Sequence, residues 1–281
     1  MIAPPAPSVV ESDVRRALEE DIGSGDVSAD LLPDAPATAF VVCRQDAVVA
    51  GRPWFEGVFR RLDPQVDIRW RCVEGEAVGA GSVLCTLGGR ARALLSGERS
   101  ALNFLQTLSS TATATAAYVA AVAGTRARVL DTRKTLPGLR LAQKYAVRAG
   151  GGDNHRIGLF DAVMLKENHI HAAGSITAAM AAARARHPGV PVIVEVEDFQ
   201  ELREALACRP ERILLDEFTL PMMREAVALV AGAVPLEASG SVDLERIAAV
   251  AATGVDCISV GALTKHVSAV DLSMRLGQPP Q

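Results

Sequence analysis

The sequence predicts an α/β protein whose second half is a parallel, barrel-like repeat, on three observations. From Arg126 onward six short apolar runs recur at 127–130, 162–165, 190–194, 212–215, 233–236 and 255–260. Alanine-rich helical stretches at 175–186, 198–207, 220–231 and 243–253 separate most of them. That alternation is the pattern of buried parallel strands joined by right-handed crossovers. Before Arg126 the runs are shorter, partly alternating and divided by Gly and Pro, as in a small sheet. A barrel of six or seven strands fits the second half, and spacing alone leaves a doubly wound open sheet possible.

Taken in order, residues 11–20 form a helix that ends at the polar, glycine-containing loop 21–26. Strands follow at 41–42, 47–50, 66–70 and 83–87, with a helix over Trp54 to Leu62. Residues 75–81 hold three glycines and read as a turn between strands. From Ser96 to Ala123 runs a long helix, or two in line. Its stretch 107–115 is so small in side-chain volume that another backbone can approach it closely. Residues 271–276 are expected to return to the first domain as a closing helix.

Composition narrows the function. The 281 residues are 49% hydrophobic, ample for a core, and carry a net charge of -4. The amino terminus lacks the basic and apolar regions of a signal peptide, and no apolar run approaches the roughly 18 residues of a membrane span, so a cytoplasmic location is expected. The five scattered cysteines read as reduced core residues. Acidity and 4% aromatics speak against nucleic-acid binding. Within this acidic chain, residues 126–171 hold nine Lys/Arg against four Asp/Glu, plus three of the five histidines. Such local cation density points to a small anionic ligand.

The carboxyl ends of the strands of an α/β barrel face one mouth, where distant residues converge. Here those ends carry Asp131, Arg133 and Lys134, then Lys166 and Glu167, Glu195 and Glu197, Asp216 and Glu217, and Glu237 with Ser239 and Gly240. Arg133, Lys134, His155, Arg156 and Lys166 suit carboxylates or phosphates, arginine by its planar two-pronged donation. Glu195 and Asp216 suit a magnesium ion shared with substrate oxygens. No His/Cys set has zinc spacing. The turns at Ser239-Gly240-Ser241 and Gly261-Ala262-Leu263 offer backbone N–H groups to a phosphate.

With these residues assembled, the sequence closely resembles the quinolinate phosphoribosyltransferases. The likeness runs in order through Glu20-Asp21, Gly97 to Asn103, Asp131 to Gly138, Gly151 to Arg156, Lys166 to His169 and Gly261 to Thr264. It implies an N-terminal α/β open sandwich over 1–107, to which 267–281 returns, and an incomplete six- or seven-stranded TIM-like α/β barrel over 108–266. It implies that quinolinate condenses with phosphoribosyl pyrophosphate to give nicotinate mononucleotide, pyrophosphate and CO2. Arg133, His155, Arg156 and Lys166 would grip the quinolinate carboxylates, with Lys134 a catalytic residue between the two substrates. Glu195 and Asp216 would organise Mg2+ and the ribose pyrophosphate, as both catalytic and metal-binding residues. Ser239, Gly240, Gly261 and His266 would receive the 5-phosphate. Arg99 would reach the site of a neighbouring subunit in a homodimer, itself able to build a hexamer. Two positions depart from the family pattern: Glu217 stands where Asn is frequent, and Ser241 where Gly or Asn is.

Three other readings are separable. A related phosphoribosyltransferase acting on nicotinate would need fewer cations for its base. A barrel aldolase would use Lys166 as a Schiff-base nucleophile. An anion sensor would bind ligand without releasing pyrophosphate.

Overall fold

The computed structural model describes residues 2–279; Met1 and the last two residues of the returning segment, Pro280 and Gln281, lie outside the described residues. In chain order the elements begin with α1 (Pro7–Ile22), β1 (Pro36–Cys43), β2 (Ala47–Val48), α2 (Arg52–Leu62), β3 (Asp67–Trp70), β4 (Ala77–Val78), β5 (Val83–Arg90) and α3 (Ala91–Ala121). Then come β6 (Arg128–Leu130), α4 (Arg140–Ala149), β7 (Val163–Leu165), α5 (Glu167–Ala173), α6 (Ile176–Arg186), β8 (Val192–Val196) and α7 (Phe199–Cys208). The chain continues through β9 (Arg212–Leu215), α8 (Leu220–Val230), β10 (Leu236–Ala238), α9 (Ile247–Ala251), β11 (Cys257–Ser259), α10 (Ala262–Lys265) and β12 (Leu272–Leu276). Two compact units result, one of Met1–Ala116, Thr135–Gly151 and Thr264–Gln281, the other of Ala117–Lys134 and Gly152–Leu263. The expected boundary between residues 107 and 108 falls inside α3.

In the first unit an antiparallel sheet of order β12-β1-β5-β3 is packed by helices. Helix α2 turns Trp54, Phe55, Val58 and Phe59 inward, a spacing that places all four on one face. Trp54 is fully buried, and its indole N–H donates to Asp13 Oδ2 at 3.0 Å. Helix α1 stops at Gly23, whose φ of 52° few other residues adopt. The small-residue stretch of α3 does receive a second backbone: a Cβ on Gly150 would stand 2.3 Å from Ala112 O and 2.7 Å from Thr115 Cβ.

Two expectations for this unit need correction. Residues 272–276 do return to it, but as strand β12 paired antiparallel with β1, from Ala39↔Leu276 to Cys43↔Leu272. Leu272 and Met274 are buried while their neighbours are not, a period of two that suits an edge strand and not a helix. The glycine-rich 75–81 segment also contains β4, which pairs with β2 between the turns at Gly75 and Gly81.

In the second unit all six strands are parallel, in the order β6-β11-β10-β9-β8-β7. From β7 to β11 each strand pairs with the next in sequence, and β11 pairs with β6. That cyclic order is a barrel's; a doubly wound sheet reverses its order at a switch point. Closure is incomplete, with Leu130 at the end of β6 making one further parallel bridge to Asp153. The fifth strand begins at Leu236, three residues later than expected, because Pro235 has no N–H to give the ladder. Helix α9 covers only 247–251, since the Asp243 carboxylate accepts from Arg246 N at 2.9 Å and holds 243–246 in a turn. Helices α4, α5 and α10 add to those expected.

Candidate active site

The cation-rich segment is built around Asp131, just past β6. Expected as a charge at the mouth, Asp131 is fully buried and braces a loop instead. Its Oδ1 accepts from His155 N at 2.9 Å and its Oδ2 from the Asn154 side-chain amide at 2.6 Å. Backbone bonds between Asp131 and Asp153 and between Asp153 and Val129 extend β6 onto the same loop. A buried carboxylate with several N–H donors is a stable anchor. Its effect is to fix the chain immediately before Arg156.

Arg133 and Arg156 are both half-buried. Arg133 Nε is buried with no hydrogen-bond partner among the described residues. Arg156 donates from Nη1 to Ala162 O at 3.2 Å and approaches Met164 Sδ at 3.6 Å. Burial and the nearby Arg133 hold its pKa below the usual arginine value, with Asp161 acting the other way. Two partly desolvated guanidiniums close enough to repel form a site that an anion relieves. Lys134 lies against Gly261, where an added Cβ would stand 3.2 Å from Lys134 Cδ, so the ends of β6 and β11 meet there.

Lys166 follows β7 and its ammonium donates to the Glu195 carboxylate on β8. A charged, ion-paired lysine is a poor Schiff-base nucleophile, which weighs against the aldolase reading. Glu195 and Asp216 belong to a larger acidic group: burial, then Glu167, Glu201, Asp216 and Glu195, push the Glu197 carboxyl above its ordinary pKa. Among the described residues no three His, Cys, Asp or Glu side chains converge in a metal-binding group. The donor set nevertheless fits magnesium, which takes one or two carboxylates and completes its shell with phosphate oxygens and water.

In the turn after β10 Gly240 has φ 115°, and a Cβ there would meet the Glu217 carboxyl at 3.0 Å. Glu217 itself has φ 51°, a left-handed conformation that asparagine tolerates better than glutamate. The departure from Asn noted in the sequence therefore has a backbone cost and places an acid beside Gly240.

Glu237 was expected at a strand end. Because β10 starts late, it lies mid-strand and fully buried. Arg212 Nη1 donates to its Oε2 at 2.7 Å, and His155 Nε2 stands 3.4 Å from the same oxygen. Burial alone pushes the Glu237 carboxyl up; His155 and Arg212 outweigh burial and hold it below its ordinary value. His155 Nδ1 accepts from Arg156 N at 2.7 Å. His155, Arg156, Asp161, Ile193 and Arg212 line a pocket of about 330 Å³. Arg212 escaped the sequence reading because it begins a strand, away from the loaded carboxyl ends.

The second unit thus holds Arg133, Lys134, His155, Arg156, Lys166, Glu195, Asp216, Ser239, Gly240 and Gly261. Arg99, exposed on α3, and His266, exposed after α10, belong to the first.

Comparison with known proteins agrees across nearly the whole chain. The family described as quinolinate phosphoribosyl transferase, C-terminal domain, matches residues 111–275, and its N-terminal domain matches 26–109. A Mycobacterium leprae protein named nicotinate-nucleotide pyrophosphorylase (carboxylating) is 43% identical over 274 residues, covering 94% of this chain and 95% of that relative. Among solved structures, the nicotinate-nucleotide pyrophosphorylase of Francisella tularensis superposes with a TM-score of 0.96 at 43% identity, covering 99% of each chain. NadC from Streptococcus pyogenes gives 0.94 at 40% identity, covering 98% of this chain and 99% of that one.

Proposed function

The chain belongs to the quinolinate phosphoribosyl transferase family, and from that premise we propose how its residues divide the work. The enzyme transfers the phosphoribosyl group of phosphoribosyl pyrophosphate to quinolinate with loss of CO2, giving nicotinate mononucleotide and pyrophosphate in NAD biosynthesis. The observation that carries the substrate assignment is the Arg133 and Arg156 pair, two half-buried guanidiniums set for a ligand with two adjacent carboxylates. Nicotinate, with one carboxylate, would leave part of that charge unmatched.

Arg133, Arg156 and Lys166 hold the carboxylates and so aim the ring nitrogen at the anomeric carbon, the proximity contribution to the rate. Lys134, over Gly261, stands where it can offset charge on the phosphoribosyl substrate. Glu195 and Asp216 are the carboxylates that would hold Mg2+. When bound, that ion supplies charge neutralisation to the departing pyrophosphate. Gly240 and Gly261 offer backbone N–H groups to the 5-phosphate, and Ser239, whose own N–H is donated to Leu215 O, offers its hydroxyl. Breaking the carbon–carboxylate bond releases CO2 and leaves an electron pair on the ring carbon beside the positively charged pyridinium nitrogen, which stabilises it. That carbon then takes a proton from solvent to give nicotinate mononucleotide, and no organic cofactor is required.

Arg99 on α3 would complete the site of a neighbouring subunit, making the working form a homodimer or a hexamer built of dimers. The free cysteines Cys43, Cys72, Cys85, Cys208 and Cys257 support a reducing, cytoplasmic setting. No helix among the described residues is long and apolar enough to cross a membrane.

The test is purified protein with Mg2+, phosphoribosyl pyrophosphate and carboxyl-labelled quinolinate. Labelled CO2 and nicotinate mononucleotide should appear together. Nicotinate mononucleotide formed from nicotinate but not from quinolinate would establish the alternative substrate.

A further inference from the structure

We infer that Glu237, clamped by Arg212, is a positioning residue that acts through His155 to set Arg156 for quinolinate. The inference rests on the proposed role of Arg156 in holding a carboxylate. Four contacts form one line: Arg212 Nη1 to Glu237 Oε2 at 2.7 Å, Oε2 to His155 Nε2 at 3.4 Å, His155 Nδ1 to Arg156 N at 2.7 Å, and Arg156 Nη1 to Ala162 O at 3.2 Å.

The direction of each contact fixes a proton. Arg156 N–H can only donate, so His155 Nδ1 must accept and the ring hydrogen belongs on Nε2. His155 Nε2 stands 3.4 Å from Glu237 Oε2, a charge contact and not a formed hydrogen bond in the ligand-free protein, and the carboxylate is fully buried and can only accept when ionised. Arg212 offsets the cost of keeping the carboxylate charged, and Arg212 in turn is held by it. His155 is thereby fixed in one tautomer and one ring orientation, with its Nδ1 anchoring the backbone from which the Arg156 side chain departs. The sequence resemblance gave His155 a direct grip on the carboxylates. Here its two nitrogens face Arg156 N and Glu237, the geometry of a connector.

Packing alone does not account for this arrangement. A buried ion pair is costly to desolvate, an apolar pair of similar volume would fill the same space, and Glu237 Oε1 is buried with no hydrogen-bond partner among the described residues. The carboxylate's contribution is orientation of the ring above it.

The experiment combines kinetics with nitrogen NMR of His155 on the full-length enzyme. Glu237→Gln should raise KM for quinolinate about tenfold, within the cost of unseating one buried hydrogen-bonded group, and leave KM for phosphoribosyl pyrophosphate within about twofold. The His155 ring nitrogens should change from one tautomer to a mixture. Adding Glu237→Gln to His155→Asn should cost nothing further, because the pair acts as one unit. Equal losses for both substrates, an unchanged His155 spectrum, or additive effects in the double variant would overturn the inference. Should Glu237→Gln fail to fold, Arg212→Lys keeps the charge but not the planar fork and should show the same selective loss. Arg156→Lys is measured in parallel: unchanged quinolinate KM would refute the role of Arg156 itself. A raised KM in Arg156→Lys with none in Glu237→Gln would refute only the positioning line.

Discussion

The Lys166 ammonium is bonded to the Glu195 carboxylate across the carboxyl ends of the adjacent strands β7 and β8. A cation assigned to quinolinate and an acid assigned to the metal are thus each other's partners before either ligand arrives. Lys166 is 45% exposed, so screening limits the pair to roughly 1 kcal/mol or less. Either ligand can therefore displace it cheaply. Glu195→Gln should lower turnover by about 100-fold, as loss of a preorganised charge does. Yet it should leave quinolinate affinity unchanged or tighter, since Lys166 loses a competitor. Calorimetric titration with quinolinate alone checks this. A tenfold weaker affinity would mean that Glu195 holds Lys166 in place.

A second expectation concerns the stability cost of the carboxylate site proposed at Arg133 and Arg156. Arg133 and Arg156 repel one another in the ligand-free enzyme, so Arg133→Met should raise its melting temperature. Relief of 1 kcal/mol corresponds to roughly 2–4 °C in a protein of this size. The same variant should lose most of the stabilisation that saturating quinolinate gives the wild type. Thermal scans with and without quinolinate measure both; a variant stabilised by ligand as strongly as the parent would remove Arg133 from the site.

The sequence was legible where chemistry is local. Strand-helix alternation gave a parallel α/β repeat, with barrel and doubly wound sheet both open until the strand order decided for the barrel. Carboxyl-end charges such as Lys166, Glu195 and Asp216 followed from that repeat, because parallel strands share one direction. The misplacements have a common origin in tertiary pairing. Leu272 to Leu276 is too short for periodicity to separate strand from helix, and only β1 decides it. Asp131 and Glu237 looked like mouth residues because a buried acid and an exposed one are identical in sequence. Their partners, Asn154 and Arg212, lie 23 and 25 residues away.

Glu217 offers a third test. Its φ of 51° disfavours a long side chain, and its carboxyl lies beside Gly240, in the turn proposed to hold the 5-phosphate. Glu217→Asn should stabilise the protein by about 1 kcal/mol, because asparagine enters the left-handed region more readily. It should also lower KM for phosphoribosyl pyrophosphate, by removing an acid beside the proposed phosphate position. Urea unfolding and initial rates at fixed Mg2+ measure the two effects. Gain of stability with a raised KM would show that Glu217 helps the substrate in place of repelling it.

The last expectation is a pH dependence with a definite sign. Burial raises the Glu237 pKa, but His155 and Arg212 more than reverse it, so the folded value lies below the ordinary 4.5. Between those two values the unfolded chain binds more protons at this group than the folded one. Glu237 therefore contributes stability above the ordinary carboxylate range and loses it as pH falls toward its lowered folded pKa. Gln does not titrate. Glu237→Gln should be less stable than wild type at pH 7, and the gap should narrow steadily as pH falls below about 4.5. Melting temperatures from pH 7 to pH 3 give the comparison. Parallel curves would assign the enzyme's acid sensitivity to other carboxylates and show that the buried Glu237 is not held ionised by its two partners.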